Sequence, residues 1–238
     1  MKPILFNSQM VRAILDGRKT QTRRIVKTGS YTPLEVGRSK FYTFRDELNG
    51  KRGAWAGFHR DEDVFVGSDG KQHIDAVYAK APYQPGDVLY VRETWKKVCA
   101  TERYYEGGKV VNSEELFGYM YRADNLIRWD EREPKDDEFH LSDITRELKW
   151  RPSIHMSRDA ARLFLRVTDV RVERLQHITR DGAISEGCNA AIPVLEFQGI
   201  WDTTIKPADR DRYGWAADPW VWVISFKRCG KEGEPWNG

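Results

Sequence analysis

Lys19 and Thr22 lie near the start of the chain and have the residue types and spacing for hydrolytic chemistry. A neutral lysine amine can accept the proton of a threonine hydroxyl, provided that burial or nearby cations lower the lysine pKa. Arg18, Arg23 and Arg24 supply such cations in the same stretch. Both side chains reach one site if the chain turns between them, whereas in an extended strand they point to opposite faces. The pair predicts attack on an acyl group, with a carboxylate as a second proton carrier.

The neighbouring elements are expected to hold this basic stretch at a fixed place on a folded scaffold. Asn7 can cap a helix whose apolar residues Val11 and Ile14 fall on one face. Gly17 is placed to end that helix, because glycine adopts a positive φ without strain. A strand is then predicted over residues 22–27. A flexible basic tail would lack this helix and its stop.

Several segments resemble the ASCH domain, a small β-barrel of the PUA-like group. Gly17-Arg18-Lys19-Thr20-Gln21-Thr22 is similar to the opening signature of that family. Its later landmarks follow in order: a strand entry at 85–91, central strands at 161–175, a short helix at 178–187 and a closing strand at 219–226. The likeness covers about residues 1–27, 83–95 and 150–228, and it looks most like extended members carried by phages and prophages.

The resemblance implies an α+β fold: a PUA-like (ASCH) mixed β-barrel of five to six strands with flanking short helices. Residues 1–238 are interpreted as a single domain with loop-rich insertions at about 28–82 and 96–149. In the first insertion, 54–59 and 63–66 are expected to pair as an irregular hairpin, and Ser68-Asp69-Gly70 marks a second reversal. In the second, the charged run at 130–138 is expected to be a solvated loop.

One branch of the ASCH family comprises amidohydrolases that remove the acetyl group from N4-acetylcytidine with a Lys, a Thr and a Glu. Residue by residue, these match Lys19, Thr22 and Glu186. The resemblance implies Lys19 as the base, Thr22 as the nucleophile or the activator of water, and Glu186 as the proton shuttle. It implies no metal or cofactor. Arg18 and Arg23 are then expected to stabilise an oxyanion or to bind a phosphate.

A second group of residues is expected to bind the substrate. A site that receives a base needs aromatic rings to stack on it, and of the nine tryptophans Trp95 and Trp150 are the best placed in the sequence. Arg92 and Glu93 are polar positions in a strand that is otherwise predicted to be buried, so they need partners from the chain or from a ligand. His155 is a candidate donor to a base edge or an auxiliary acid.

The same residues also suit a non-catalytic protein that binds RNA or single-stranded DNA, with arginines on phosphates and aromatic rings on bases. The net charge of +3 allows a basic patch without making the whole chain a polycation. A metal-dependent ribonuclease is disfavoured because the sequence shows no cluster of carboxylates and histidines. A modified nucleoside, RNA or single-stranded DNA is therefore the expected partner.

Cysteine usage and hydropathy restrict the location of the protein. Cys99, Cys188 and Cys229 form no CxxC pair, so the sequence supports neither a zinc ribbon nor a disulfide framework. No apolar run has the length of a signal-peptide core or of the roughly 18 residues that a membrane span needs. The sequence therefore predicts a cytoplasmic protein without a membrane partner.

Overall fold

The computed structural model describes residues 1–27, 39–106, 109–130, 144–147, 149–189 and 191–236. The chain divides into two compact units, each assembled from separate segments. The first comprises Met1–Leu15, Leu89–Leu165 and Cys229–Gly238, and the second comprises Asp16–Val88 and Arg166–Arg228. The interpretation of residues 1–238 as a single domain stays a prediction.

The described residues form a mixed α+β structure in which strands outnumber short helices, and this confirms the predicted class. The strands are β1 (Lys2–Leu5), β2 (Gln21–Ile25), β3 (Lys40–Leu48), β4 (Lys51–His59), β5 (Val64–Val66), β6 (Gln72–Ile74), β7 (Val77–Lys80), β8 (Val88–Arg92), β9 (Trp95–Glu106), β10 (Lys109–Tyr121), β11 (Ile127–Trp129), β12 (Ile144–Glu147), β13 (Phe164–Arg174) and β14 (Trp220–Cys229). The α-helices are α1 (Ser8–Leu15), α2 (Arg180–Ser185), α3 (Pro193–Thr204) and α4 (Arg210–Tyr213). Short 3₁₀ helices lie at Asp61–Asp63, Ser153–His155, Leu175–His177, Pro207–Asp209 and Trp215–Ala217.

The first unit contains α1, a parallel pair of strands and a four-stranded antiparallel sheet. The parallel pair consists of β1 and β8. The strands of the four-stranded sheet lie in the order β11-β10-β9-β12. Helix α1 begins as predicted, because the Asn7 side chain accepts a hydrogen bond from the Met10 amide at 2.9 Å, and its Val11 and Ile14 are buried. One core cluster of this unit comprises Trp95, Tyr121, Met156 and Ala160.

The second unit contains the strands and helices around Lys19. Strands β13, β14 and β2 are neighbours in that order, and β2 runs antiparallel to β14. Two further sheets have the orders β3-β4-β7 and β5-β6. Helices α2 and α3 pack on β14 through a core cluster of Leu175, Ile178, Ala183, Cys188, Phe197, Trp201, Val221 and Val223. This packing fixes the end of α2 against the strands.

Two details of the predicted fold differ from the structure. The sheets that the described residues form are open, without the closed barrel that was expected. The two insertions are not loop-rich where they are described, because they form β3 to β7 and β9 to β12. Residues 28–38, 107–108, 131–143 and 148 lie outside the described residues, and with them most of the charged run at 130–138.

The first predicted hairpin, between 54–59 and 63–66, is also wrong. Strand β4 pairs with β3 and β7 instead, because the two-residue Asn49-Gly50 turn supplies β3 as a local partner. Both turn residues have positive φ, 51° and 73°, as a tight hairpin turn requires. The reversal at Ser68-Asp69-Gly70 is confirmed, since it joins the paired strands β5 and β6.

Candidate active site

The segment that contains Lys19 is held by backbone hydrogen bonds to the end of α2 and to β14. The Thr20 amide donates to the Ser185 carbonyl at 2.8 Å, and the Thr20 carbonyl accepts from the Phe226 amide at 2.9 Å. Thr179 caps α2 as predicted, because its hydroxyl accepts from the Gly182 amide at 3.0 Å. Glu186 follows the last turn of α2, so the cap and the packing of this helix set the position of its carboxylate.

Lys19 and Glu186 form a buried ion pair. Lys19 Nζ donates to Glu186 Oε2 at 2.7 Å, and the two residues are only 3% and 4% exposed. The same amine also donates to the backbone carbonyls of Glu186 and Gln21, both at 2.8 Å. An ammonium group has three N–H donors, so these three acceptors fix its position and orientation. A proton can pass directly between Nζ and Oε2 at this distance.

Burial lowers the pKa of Lys19 below its usual value of 10.5, and the Arg24 guanidinium lowers it further. The Glu186 carboxylate opposes this change through its charge and its hydrogen bond. Loss of hydration is the largest of these effects, because a buried ammonium gives up its interaction with water. The amine therefore releases its proton more readily than an exposed lysine, as a general base requires.

Arg23 orients Glu186 from the other side. Its guanidinium donates to Glu186 Oε1 and to Glu173 Oε2, both at 3.2 Å, and Arg171 donates to the remaining Glu173 oxygen at 2.6 Å. The Arg23 guanidinium also lies 5.7 Å from the centroid of the Phe197 ring. Because one Glu186 oxygen faces Lys19 and the other faces Arg23, the carboxylate is held in a single orientation.

Thr22 and Arg24 occupy the alternate positions of β2. Thr22 is 2% exposed and lies opposite Ile224 of β14. Successive side chains of a strand point to opposite faces, so Thr22 and Arg24 leave β2 on the face opposite to Arg23. Burial lowers the pKa of Arg24, and the Arg24 charge in turn opposes the rise that burial causes in the pKa of Tyr83. The structure thus joins Lys19, Arg23 and Glu186 directly. Thr22 precedes Arg23 along the strand, and its side chain points to the other face.

Arg18 lies at the exposed margin of this site. Its guanidinium donates to the Gly187 carbonyl and to the Asp16 carboxylate, both at 2.9 Å. The first bond ties Arg18 to the residue that follows Glu186. Its exposed position suits contact with an anion on a substrate, whereas Arg23 is already placed between two carboxylates.

Two buried polar atoms of β2 have no hydrogen-bond partner among the described residues, Gln21 Oε1 and Arg23 Nε. The Gln21 amide nitrogen does donate, to the Ser225 hydroxyl at 3.2 Å. Gln21 and Arg23 lie two positions apart and therefore share a face of the strand. They offer one acceptor and one donor beside the Lys19 and Glu186 pair. Glu173 and Tyr83 were not predicted at the site, since only tertiary contacts bring them there. Gln21 lies two positions from Lys19, but no role was predicted for it.

The remaining predicted residues, Arg92, Glu93, Trp95, Trp150 and His155, lie in the first unit. Arg92 Nε donates to the Met156 carbonyl at 2.9 Å. Glu93 is 1% exposed, and both of its oxygens accept from the Arg162 guanidinium, at 2.9 and 3.0 Å. The chain itself thus supplies the partner that the sequence required for Glu93. Burial raises the pKa of Glu93, and Arg162 opposes that rise.

The three ring residues of this predicted set have different environments. Trp95 is 3% exposed in the core, and its Nε1 has no partner among the described residues. Trp150 is half-buried, with the Arg122 guanidinium 5.4 Å from its ring centroid. His155 is exposed at the end of the 3₁₀ helix Ser153–His155. Trp95 is therefore a core residue, while Trp150 and His155 keep solvent-exposed atoms.

The described residues contain no group of three or more His, Cys, Asp or Glu side chains that could hold a metal ion. Cys99, Cys188 and Cys229 are buried, and none of them forms a disulfide with another described residue. Burial raises the pKa of Cys188 to about 11, and the nearby Glu196 and Glu186 carboxylates add to this. The thiol beside the candidate site is therefore protonated at neutral pH. Within the described part of the chain, no helix combines the length and hydropathy required to cross a membrane.

Comparisons of the chain with models of protein families, with curated proteins and with solved structures found no match.

Proposed function

We propose that the protein is an amidohydrolase that removes an N4-acyl group from cytidine or from a related modified base. The observation that supports this most is the buried contact of 2.7 Å between Lys19 Nζ and Glu186 Oε2, with the lysine pKa lowered by burial. Such a pair can take a proton from a nucleophile and give one to a leaving group. The resemblance to ASCH proteins, and with it a PUA-like fold, supplies the substrate class as part of this proposal.

The proposed reaction uses each member of the pair once. The neutral Lys19 amine accepts a proton from the nucleophile, which is either a water molecule or the Thr22 hydroxyl. The nucleophile oxygen bonds to the acyl carbon, and the bond between that carbon and N4 breaks. The proton that Lys19 has accepted passes from Nζ to the Glu186 carboxylate and from there to N4. Water attack releases the carboxylic acid directly, whereas Thr22 attack leaves an ester that a second water molecule hydrolyses. Both routes release the same base with a free amino group.

The arginines have separate roles in this proposal. Arg23 keeps one Glu186 oxygen turned towards Lys19, through its bond of 3.2 Å to the other oxygen. Arg18 is exposed beside the Gly187 carbonyl and provides positive charge for a substrate phosphate or for the developing oxyanion. The proposed steps use only side chains and water, so they need no metal or cofactor.

The test is incubation with N4-acetylcytidine, with cytidine release followed by chromatography. Lys19→Ala and Glu186→Gln are each expected to slow release by about a hundredfold or more, because each removes one proton carrier. Lys27→Ala is the matched control, since Lys27 is an exposed lysine just beyond β2. Full activity in both the Lys19 and the Glu186 variants would overturn the proposed roles.

A further inference from the structure

The three-stranded sheet of the second unit carries a row of two cations and an aromatic ring. Arg45 of β3 lies opposite Trp55 of β4, and Trp55 lies opposite Lys80 of β7. Residues directly opposite each other in antiparallel strands share one face of the sheet. Neighbouring strands are about 4.8 Å apart, so the two cations flank the indole across roughly 10 Å.

The two cations of this row lie near aromatic rings. Lys80 Nζ is 5.3 Å from the centroid of the Trp55 ring, and the Arg45 guanidinium is 4.9 Å from the centroid of the Tyr78 ring. Both cations are exposed, and neither forms an ion pair with a residue that the structure describes. Their charges are therefore available to anions in solution.

The rings on this face are held in place by the protein. Trp55 Nε1 donates to the Lys51 carbonyl at 3.1 Å. The Tyr78 ring lies across β4 at Gly57, where an added Cβ would come within 2.8 Å of a Tyr78 ring carbon. Glycine thus leaves the space that the Tyr78 ring occupies. Rings that are already ordered lose little conformational entropy when a ligand stacks on them.

A similar row lies on the four-stranded sheet of the first unit. Tyr119 of β10 has Lys97 of β9 opposite it on one side and Arg128 of β11 on the other. Lys97 Nζ and the Arg128 guanidinium lie 5.9 and 5.2 Å from the centroid of the Tyr119 ring. Lys97 is exposed and has no ion-pair partner among the described residues, whereas Arg128 forms a loose, partly exposed pair with Asp130 at 3.9 Å. Both inserted segments therefore carry a cation, an aromatic ring and a second cation on three adjacent strands.

We propose that each of these rows by itself binds a single-stranded polynucleotide, with bases stacked on its rings and phosphates next to its cations. This combination of groups matches the two repeating parts of such a strand, its negative backbone and its flat bases. In a duplex the bases are stacked on one another and have no free faces for these rings. The inference deepens the proposed function by naming a polymer as the substrate, and for that step it rests on the proposed function. Binding itself does not depend on turnover.

The experiment measures fluorescence anisotropy with labelled single strands of about 12 nucleotides, as RNA and as DNA, and with an RNA duplex. Trp55→Ala is expected to weaken single-strand binding roughly tenfold, as loss of one stacked base does. The binding constant falls with salt, and its logarithm has a negative slope against the logarithm of salt concentration. In the double variant Arg45→Ala/Lys80→Ala the size of this slope is expected to fall by about 1.4, at about 0.7 for each lost phosphate contact. Arg52→Ala is the matched control. Arg52 is an exposed cation on β4 that lies opposite Glu47, so its loss is expected to leave affinity close to native.

The inference is supported if the native protein binds single-stranded RNA or single-stranded DNA and this binding depends on Trp55. The strand that binds more tightly shows whether the ligand is RNA or DNA. The inference is overturned if the native protein binds neither strand at about 50 mM salt, or if it binds the duplex equally well. It is also overturned if the double variant, whose replaced side chains are exposed, binds like the native protein. Binding that depends on Trp55 without cytidine release would contradict only the proposed amidohydrolase. Cytidine release without such binding would contradict only this inference.

Discussion

Burial lowers the pKa of Lys19, whose amine is held against the Glu186 carboxylate at 2.7 Å. The sequence supplied their types, and the family resemblance paired them across the 167 positions that separate them. Neither the sequence nor the resemblance predicted a role for Glu173. The Arg23 guanidinium forms ion pairs with both Glu173 and Glu186. Arg23 therefore acts as a positioning residue in this account. Arg18 also pairs with a carboxylate, that of Asp16, but this pair is exposed, so an anion can contact Arg18 directly. Contacts of this kind depend on tertiary packing and leave no local signal in the sequence.

The pH dependence of deacylation tests the role of Lys19. The neutral amine is the active form, so kcat/KM is expected to rise with pH through the Lys19 pKa. That rise should be centred below 10.5, because burial lowers the pKa. The measurement is a profile of kcat/KM between about pH 6 and pH 10. A rate that falls or stays constant over this range would contradict the assignment of Lys19 as the base.

Glu93 is expected to contribute to stability. Glu93→Gln removes the charge that faces the Arg162 guanidinium at 2.9 and 3.0 Å. Breaking a buried ion pair from one side costs about 3 kcal/mol of the free energy of unfolding, measured by urea denaturation. Asp130→Asn is the control, since the Asp130 and Arg128 pair is 3.9 Å apart and partly exposed. The Asp130→Asn replacement should lower the free energy of unfolding by less than about 1 kcal/mol. Equal losses in the two variants would refute the structural role of Glu93.

At the scale of elements, the sequence correctly predicted features that depend on residues close together in the chain. The caps at Asn7 and Thr179 and the reversal at 68–70 are confirmed, because each depends on residues within a few positions. The Asn49-Gly50 turn was an equally local signal that the sequence analysis overlooked. The partners of β4 were predicted wrongly for that reason. Strand pairing beyond such turns depends on residues far apart in the chain.

The cap of α2 is expected to matter for catalysis, because this helix positions Glu186. Thr179→Ala removes the hydroxyl that accepts from the Gly182 amide, which should cost about 1 kcal/mol of stability and lower kcat for deacylation. Thr203→Ala is the control, because its hydroxyl bonds to the Ile200 carbonyl at an exposed position of α3. Native stability and native kcat in the Thr179 variant would contradict this role of the helix.

Gly57 is expected to be required for the aromatic face of the β3-β4-β7 sheet. In Gly57→Ala the new Cβ would meet the Tyr78 ring at 2.8 Å, so the ring must move and single-strand affinity should fall severalfold. Gly199→Ala in α3 meets no atom within 4 Å. That control should keep its affinity and gain up to about 1 kcal/mol of stability from helix propensity. Anisotropy and urea denaturation measure both effects, and unchanged affinity in Gly57→Ala would refute the claim.

At the scale of the whole molecule, the α+β class was predictable and the organisation of the insertions was not. Strand β3 is exposed at most of its positions, so it lacks the alternation of apolar and polar residues that reveals a strand. Its sheet is held by cross-strand contacts, such as that between Phe41 and Phe58 with ring centroids 6.2 Å apart. Contacts of this kind cannot be inferred from composition.

The division into two units also separates the predicted site residues. Lys19, Thr22 and Glu186 lie in the second unit together with Arg18 and Arg23, whereas the five predicted residues between 92 and 155 lie in the first. The sequence analysis grouped all of them because both sets had residue types suited to a nucleoside. The structure assigns Glu93 to an ion pair with Arg162 and Trp95 to the core. The account of catalysis therefore depends on the second unit.

The most direct test of that account is hydrolysis of N4-acetylcytidine in water enriched in ¹⁸O, with the products identified by mass spectrometry. If the protein cleaves the acyl amide, the heavy oxygen appears in acetate and the cytidine is unlabelled, whether water or Thr22 attacks first. Labelled uridine would show attack on the ring instead of the acyl carbon. That outcome, or no product from the folded native protein, would contradict the proposed amidohydrolase.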